Sequence, residues 1–151
     1  MSDPDTRSAL IAREDRLWGE LHDLVASLPQ DQVGTPGYFA EGWSAKDLIA
    51  HLGSWLSAAG AALERIHNGT YRFEEFDIDS LNRQFYDAMK DVPFATVRAQ
   101  ATAARSRMLG VWGSFAEQTP EADRWIRKAG PDHYAEHLPR LQAWVADLNG
   151  R

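Results

Sequence analysis

The chain of 151 residues lacks cysteine, and it has no long basic run, no long apolar run and no alternating strand pattern. Without cysteine, disulfides, thiolate nucleophiles and cysteine-ligated metal sites are excluded. A net charge of −6 without a concentrated basic face argues against nucleic acid or an anionic membrane as the main partner. The longest stretch without Asp, Glu, Lys or Arg, residues 48–63, is too short to span a bilayer. We therefore expect a cytoplasmic protein with neither nucleic acid nor membrane among its partners.

The apolar residues that are present recur with helical spacing along nearly the whole chain. They predict four long helices and one short helix, over residues 6–28, 44–68, 95–118, 131–148 and 80–90 respectively. Residues 28–43 form a long Pro/Gly-rich connection between helices 1 and 2, and residues 119–130 are predicted to be a loop or a frayed turn. No linker divides the chain. Residues 1–151 are therefore predicted to be a single all-α domain, a four-helix bundle with an extra short helix before helix 3.

Three histidines are predicted to point into this bundle. His133 and His137 lie one turn apart on the last helix, on an apolar stripe that continues through Trp144, and His51 borders Trp55 on helix 2. Two histidines one turn apart can share a metal ion, and a third from a facing helix completes a set that leaves a fourth position open for water or substrate. Neutral imidazoles suit Zn²⁺, Ni²⁺ or Fe²⁺ better than Mg²⁺ or Ca²⁺.

Each of these features also has a simpler interpretation. A lone inward histidine is more often a hydrogen-bonded core residue than a ligand, so the metal hypothesis rests on the combination of three. Trp55 and Trp144 are candidate pocket residues, although core packing explains each of them singly. Asp47, one turn before His51, is a candidate to orient that imidazole, and helix capping explains it equally well. His22 has no partner at useful spacing and is predicted to lie at the surface or rim.

The motif Trp43-Ser44-x-x-Asp47-x-x-x-His51-Leu52, followed by His133-x-x-x-His137, resembles the DinB/YfiT-like four-helix-bundle superfamily. This superfamily includes the N-terminal domain of mycothiol-dependent maleylpyruvate isomerase and the ClbS/DfsB proteins. The resemblance covers nearly the whole chain and implies a divalent metal, usually zinc or nickel, at the three histidines. It also implies a homodimer, and it suggests a low-molecular-weight thiol as a cofactor, because several members transfer such thiols to small electrophiles.

Two functions from different classes are consistent with these observations. The first is a metal-dependent enzyme, a thiol transferase or a hydrolase, that acts on a small organic electrophile at the three-histidine site. The alternative is a non-catalytic stress or resistance protein, similar to ClbS/DfsB, that sequesters a ligand or a metal. Turnover of an electrophile by the metal-loaded protein would distinguish the two.

Overall fold

The computed structural model describes residues 3–39 and 42–151, and these residues form six helices and no strand. In chain order the helices are α1 (Arg7–Ala26), α2 (Ala45–Asn68), α3 (Ile78–Met89), α4 (Phe94–Gly113), α5 (Pro120–Ala129) and α6 (Pro131–Asn149). The four long helices are α1, α2, α4 and α6, so the predicted all-α fold class is confirmed. No helix in the described part of the chain combines the length and the hydropathy needed to cross a lipid bilayer.

The long helix α2 lies at the centre of the bundle. It packs along α4 and also contacts α3 and α5, while α1 packs against α6. Gly53 allows the close approach of α2 to α4, because a Cβ atom at this position would lie 3.0 Å from Cβ of Ala101. Leu52 and Leu56 on the same helix are fully buried. The packing therefore fixes the position of the helix that contains His51.

Both ends of α2 are set by local chemistry that the sequence shows. At its start, the Ser44 hydroxyl accepts a hydrogen bond from the Asp47 backbone N–H, and the Asp47 carboxylate accepts one from the Ser44 backbone N–H. At its end, Gly69 adopts a left-handed conformation with φ of 74°, which glycine takes without steric cost. The helix consequently has the length that the sequence predicts.

The prediction of a loop or frayed turn over residues 119–130 is wrong, because Pro120–Ala129 forms α5. The Thr119 hydroxyl accepts a hydrogen bond from the Ala122 backbone N–H, and Pro120 occupies the first turn, where no backbone donor is needed. The buried face of this helix includes Ala122 and Ile126. Its shortness and its flanking Pro and Gly residues concealed the helical pattern in the sequence.

A buried ion pair joins three of the long helices. The Glu14 carboxylate on α1 is fully buried and accepts two hydrogen bonds from the Arg105 guanidinium on α4, at 2.6 and 2.7 Å. The Tyr134 hydroxyl on α6 donates a third hydrogen bond to the same carboxylate at 3.0 Å. The carboxylate beside Arg105 raises the pKa of the guanidinium. The bundle is therefore held in register by a charged contact as well as by apolar packing.

Candidate metal centre and cavity

The structure brings the three predicted histidines together from two helices. His51 projects from α2, and His133 and His137 project from successive turns of α6. Nε2 of His51 lies 3.0 Å from Nε2 of His133, and one ring nitrogen from each of the three residues lies within 4.8 Å of the others. His51 and His137 are only 8% and 7% exposed. This is a compact set of nitrogen donors from side chains that are largely shielded from water.

Burial keeps these imidazoles neutral at physiological pH. Burial, together with the smaller effect of the neighbouring histidines, lowers the pKa of His51 to about 3 and that of His133 to about 4. Burial also lowers the pKa of His137. A neutral imidazole has one nitrogen with a free lone pair, whereas a protonated imidazole has none. The cluster therefore has the protonation state that metal ligation requires.

The same pKa shifts predict that the metal-free protein loses stability as the pH falls below about 6.5. In that range the unfolded chain takes up protons on His51 and His133, but the folded chain does not take them up there until the pH approaches 3 to 4. The slope should approach about 1.4 kcal/mol per pH unit for each such histidine. Urea unfolding at several pH values between 7 and 5 measures this slope. His133→Gln should reduce the slope, and an equal slope in the variant would contradict the assignment.

Tyr38, in the connection between α1 and α2, fixes the orientation of His137. Its hydroxyl oxygen lies 3.0 Å from Nδ1 of His137 and 3.4 Å from the carbonyl oxygen of the same residue. The hydroxyl has one proton, and if it donates that proton to the carbonyl it must accept a hydrogen bond from Nδ1–H. In that tautomer Nε2 of His137 keeps its lone pair free. Tyr38 is only 3% exposed, and burial raises the pKa of its phenol.

Sequence reasoning missed Tyr38, although the Pro/Gly content of residues 28–43 indicated a loop there. Gly37 precedes it with φ of 128°, and the backbone N–H groups of both residues donate to the carbonyl oxygen of Trp43, at 3.0 and 2.7 Å. These bonds close a turn that directs the Tyr38 side chain inward. The Pro/Gly content identified the segment as a loop, but a loop conformation that depends on such contacts cannot be inferred from spacing.

The structure assigns Asp47 to helix capping rather than to the histidine cluster. One oxygen of its carboxylate accepts hydrogen bonds from the backbone N–H and the hydroxyl of Ser44, at 2.9 and 3.0 Å. Nδ1 of His51 is buried and has no hydrogen-bond partner among the described residues. The hypothesis that Asp47 orients His51 is therefore not supported, because its carboxylate is turned toward the start of α2.

The histidines line a cavity of about 1180 Å³ between α2, α3, α5 and α6. Eight of the sixteen Trp, Tyr and Phe residues of the chain line it as well: Phe39, Trp43, Trp55, Tyr71, Phe73, Phe76, Tyr86 and Trp125. The indole N–H of Trp55 donates to the side-chain oxygen of Asn82 at 2.8 Å, so Trp55 is held in place on the cavity surface. Charged residues of both signs, including Arg124 and Glu136, complete the lining.

Trp144, the other candidate pocket residue, lies outside this cavity, and this part of the prediction is wrong. Its ring packs against Gly37, where an added Cβ would come within 2.7 Å of the indole, and the Arg151 guanidinium lies 5.4 Å from the ring centre. Trp144 shares a helical stripe with His137 but lies two turns further along α6, where the α1–α2 connection covers the helix. Helical phase gives the direction of a side chain but not its depth in the bundle.

His22 remains separate from the cluster, in a half-buried position on α1. Its ring stacks on Trp18 with 3.7 Å between ring centres, and its Nδ1 lies 3.1 Å from the carbonyl oxygen of Trp18. Burial lowers its pKa. The structure accordingly gives His22 a packing role within its own helix.

The family described as Mycothiol maleylpyruvate isomerase N-terminal domain matches residues 15–146. The chain belongs to this family. The match covers α2, the cavity and all three histidines, and it confirms the superfamily resemblance that the sequence motifs indicated. No curated protein matches the chain in sequence.

Two solved structures have the same fold as this chain. An uncharacterised protein from Escherichia coli UTI89 superposes with a TM-score of 0.81 at 15% identity, over 97% of this chain and 96% of that one. The colibactin self-resistance protein ClbS, in complex with double-stranded DNA, superposes with a TM-score of 0.79 at 15% identity, over 94% of this chain and 96% of that one.

The ClbS complex overturns the expectation that nucleic acid is excluded as a partner. That expectation rested on the net charge and on the lack of a basic run in the sequence. ClbS, a chain with the same fold, was crystallised with double-stranded DNA, so the fold itself is compatible with a nucleic-acid partner. Net charge reports the average over the whole surface and does not exclude a local contact with DNA.

Proposed function

We propose that His51, His133 and His137 hold one divalent metal ion, zinc or nickel, and that the protein uses it to act on a small organic electrophile. The observation that supports this proposal most strongly is the meeting of three neutral imidazoles, two of them buried and one half-buried, within 4.8 Å on the surface of a large cavity. The donor set fits the group, because neutral nitrogen ligands suit these two metals. A metal in this position would supply a Lewis acid that activates a small nucleophile.

The residues of this chain would supply binding and orientation around that centre. The Tyr38 hydroxyl would accept a hydrogen bond from Nδ1–H of His137 and donate one to its carbonyl oxygen, which would leave Nε2 of that ring free for a metal. Trp43 packs against His51 with 5.0 Å between ring centres, and Phe39 packs edge-on against His137 at 5.7 Å. These rings limit the access of water to two of the three imidazoles and leave the approach from the cavity as the open side.

The family description favours a low-molecular-weight thiol as the nucleophile. In the other form of the same proposal, the nucleophile is water and the reaction is a hydrolysis. The two are separated with Co²⁺-substituted protein. Because the chain has no cysteine, any thiolate charge-transfer absorption after addition of a thiol must come from the added ligand. A transferase should show that absorption and consume the thiol with an electrophile. A hydrolase should be inhibited by the thiol, and its rate should rise with pH.

A second candidate function is non-catalytic sequestration of a reactive compound. The observation that favours it is the likeness of the whole fold to ClbS, a self-resistance protein solved with double-stranded DNA. In that case the metal-loaded protein should bind a compound or duplex DNA without turnover. Product formation in proportion to enzyme concentration, lost in His137→Ala, would exclude sequestration as the sole function.

We also propose a homodimer, on the strength of the superfamily resemblance. Light scattering at micromolar concentration should give twice the monomer mass of 16.9 kDa. A mass of one chain over the whole concentration range would contradict the dimer.

Tyr38→Phe should weaken metal binding without unfolding the protein. The variant keeps the buried ring but removes the hydroxyl that contacts Nδ1 and the carbonyl oxygen of His137. Loss of a group that orients a metal-bound histidine typically weakens affinity about 10- to 100-fold. Competition with a chromogenic chelator measures the affinity, and circular dichroism verifies the fold. Tyr71→Phe, which changes a hydroxyl that contacts Trp125 on the cavity surface, is the matched control and should bind metal like the wild type. An unchanged affinity in Tyr38→Phe would contradict the assigned role.

A further inference from the structure

The cavity extends from the histidines to a wall of apolar side chains that the protein itself does not cover. Phe73, Phe76 and Ile78 are 69%, 46% and 56% exposed, and all three line the cavity. We call these three residues the apolar wall. Only one other large hydrophobic residue in the described chain is exposed, Ile11 on α1, and it lies outside the cavity. Exposed apolar side chains are thus concentrated at one side of the candidate site.

Helix α3, which begins with Ile78 of the apolar wall, is also only partly covered by the rest of the protein. It is amphipathic, yet none of its residues is fully buried. Asn82 and Tyr86, which follow Ile78 at intervals of four residues, line the cavity with it. This row of α3 faces the cavity, whereas Met89 on the same helix packs against the core. Covering such a surface is energetically favourable, and exposed apolar patches of this kind mark binding sites.

Aromatic rings connect the apolar wall to the histidines. Trp43 lies 5.0 Å from His51 and parallel to Tyr86, with 5.8 Å between the ring centres of Trp43 and Tyr86. On the other side, Trp55 lies 5.9 Å from Phe76. Aromatic faces and edges prefer stacked or edge-on contact with other aromatic rings. The surface that leads to the candidate metal centre is therefore suited to flat rings.

We infer that the cavity binds a flat, largely apolar ligand of two or more fused aromatic rings, with one end beside the histidines and its body against the apolar wall. This inference deepens the proposed function, and rests on it, by naming the substrate class of the same site. The volume of about 1180 Å³ is larger than that of most ligand pockets, which measure about 300–1,000 Å³, so the cavity has room for a multi-ring ligand. The charged residues of the lining have both signs, so the cavity does not present charge of a single sign to a ligand.

Binding can be tested without metal or turnover. The probe is 1-aminoanthracene, a neutral three-ring fluorophore whose emission increases in apolar surroundings. Metal-free wild-type protein should bind one probe per chain in a saturable titration. Phe73→Ser/Phe76→Ser should weaken binding by about tenfold or more, because it removes two aromatic contacts. Both side chains are exposed, so the double variant should remain folded. Ile11→Ser removes an equally exposed apolar side chain elsewhere and should bind like the wild type.

Three results would overturn the inference. The first is no saturable binding, or equal binding by the wild type and the double variant. The second is displacement of the probe by maleate, a small dicarboxylate, at comparable concentration. The third is a loss of oligomeric mass in the double variant but not in Ile11→Ser, which would make the apolar wall a subunit interface. The probe is measured on metal-free protein, and metal uptake is measured separately without the probe, so failure of the metal proposal and failure of this inference give different outcomes.

Discussion

Replacing His137 by alanine is expected to lower the affinity of the protein for Zn²⁺ by on the order of a hundredfold or more. Apparent zinc-binding free energies of about 10–16 kcal/mol are shared among about four ligands, so each ligand contributes roughly two to three powers of ten in affinity. His137 is one of three ring-nitrogen donors, and no Asp, Glu or further His in the described residues joins the cluster.

The matched control for this variant is His67→Ala. His67 lies in the last turn of α2, exposed to solvent and outside the cavity. Removing it changes the histidine content of the chain by the same amount without touching the cluster. Competition with a chelator should show weakened binding for His137→Ala alone, with equal helical content in both variants. Equal loss of affinity in both variants would place the metal elsewhere. No loss in either variant would contradict the proposed site.

Glu14→Ala is expected to reduce the free energy of unfolding by about 3–5 kcal/mol, which is typical when one partner of a buried ion pair is removed. The variant leaves the Arg105 guanidinium with only Asp15, at 3.0 Å, and it leaves the Tyr134 hydroxyl without its acceptor. Because Glu14 is fully buried, water cannot readily replace the lost carboxylate. Urea denaturation followed by circular dichroism measures the change.

The chain offers an exposed counterpart to this ion pair. Arg107 on α4 makes a two-point contact with Glu64 on α2, at 2.9 and 3.1 Å, but both side chains are open to solvent. Arg107→Ala should leave the urea midpoint close to that of the wild type, since exposed ion pairs contribute little. If Glu14→Ala also left the midpoint unchanged, the buried pair would not hold the helices together as described.

Helical spacing in the sequence predicted the candidate site better than it predicted the loops and the buried charges. The i, i+4 spacing of His133 and His137 fixes their common direction, and the position of His51 on a facing helix brings the third imidazole to them. Tyr38 could not be found in this way, because its place depends on a loop turn closed by contacts with Trp43. Residue spacing predicts the direction of a side chain within a regular helix, but not within a loop.

Long-range partners are the second kind of information that spacing does not contain. Glu14 is one charged residue among many on an amphipathic helix, and only the arrangement of α1, α4 and α6 shows that Arg105 and Tyr134 meet it. Trp144 shows the converse. It lies on the same helical face as His137, but its ring packs against Gly37 in the connection between α1 and α2. The fold class follows from periodicity, whereas the pairing of individual side chains follows from the packed structure.

X-ray absorption spectroscopy of the zinc-loaded wild-type protein tests the central claim most directly. We expect one zinc per chain, coordinated by three imidazole nitrogens at about 2.0–2.1 Å and at least one further light-atom ligand. His133→Ala should reduce the imidazole signal to two or abolish binding. A wild-type protein that takes up no zinc or nickel, or a metal whose first shell lacks the three imidazoles, would contradict the proposed centre.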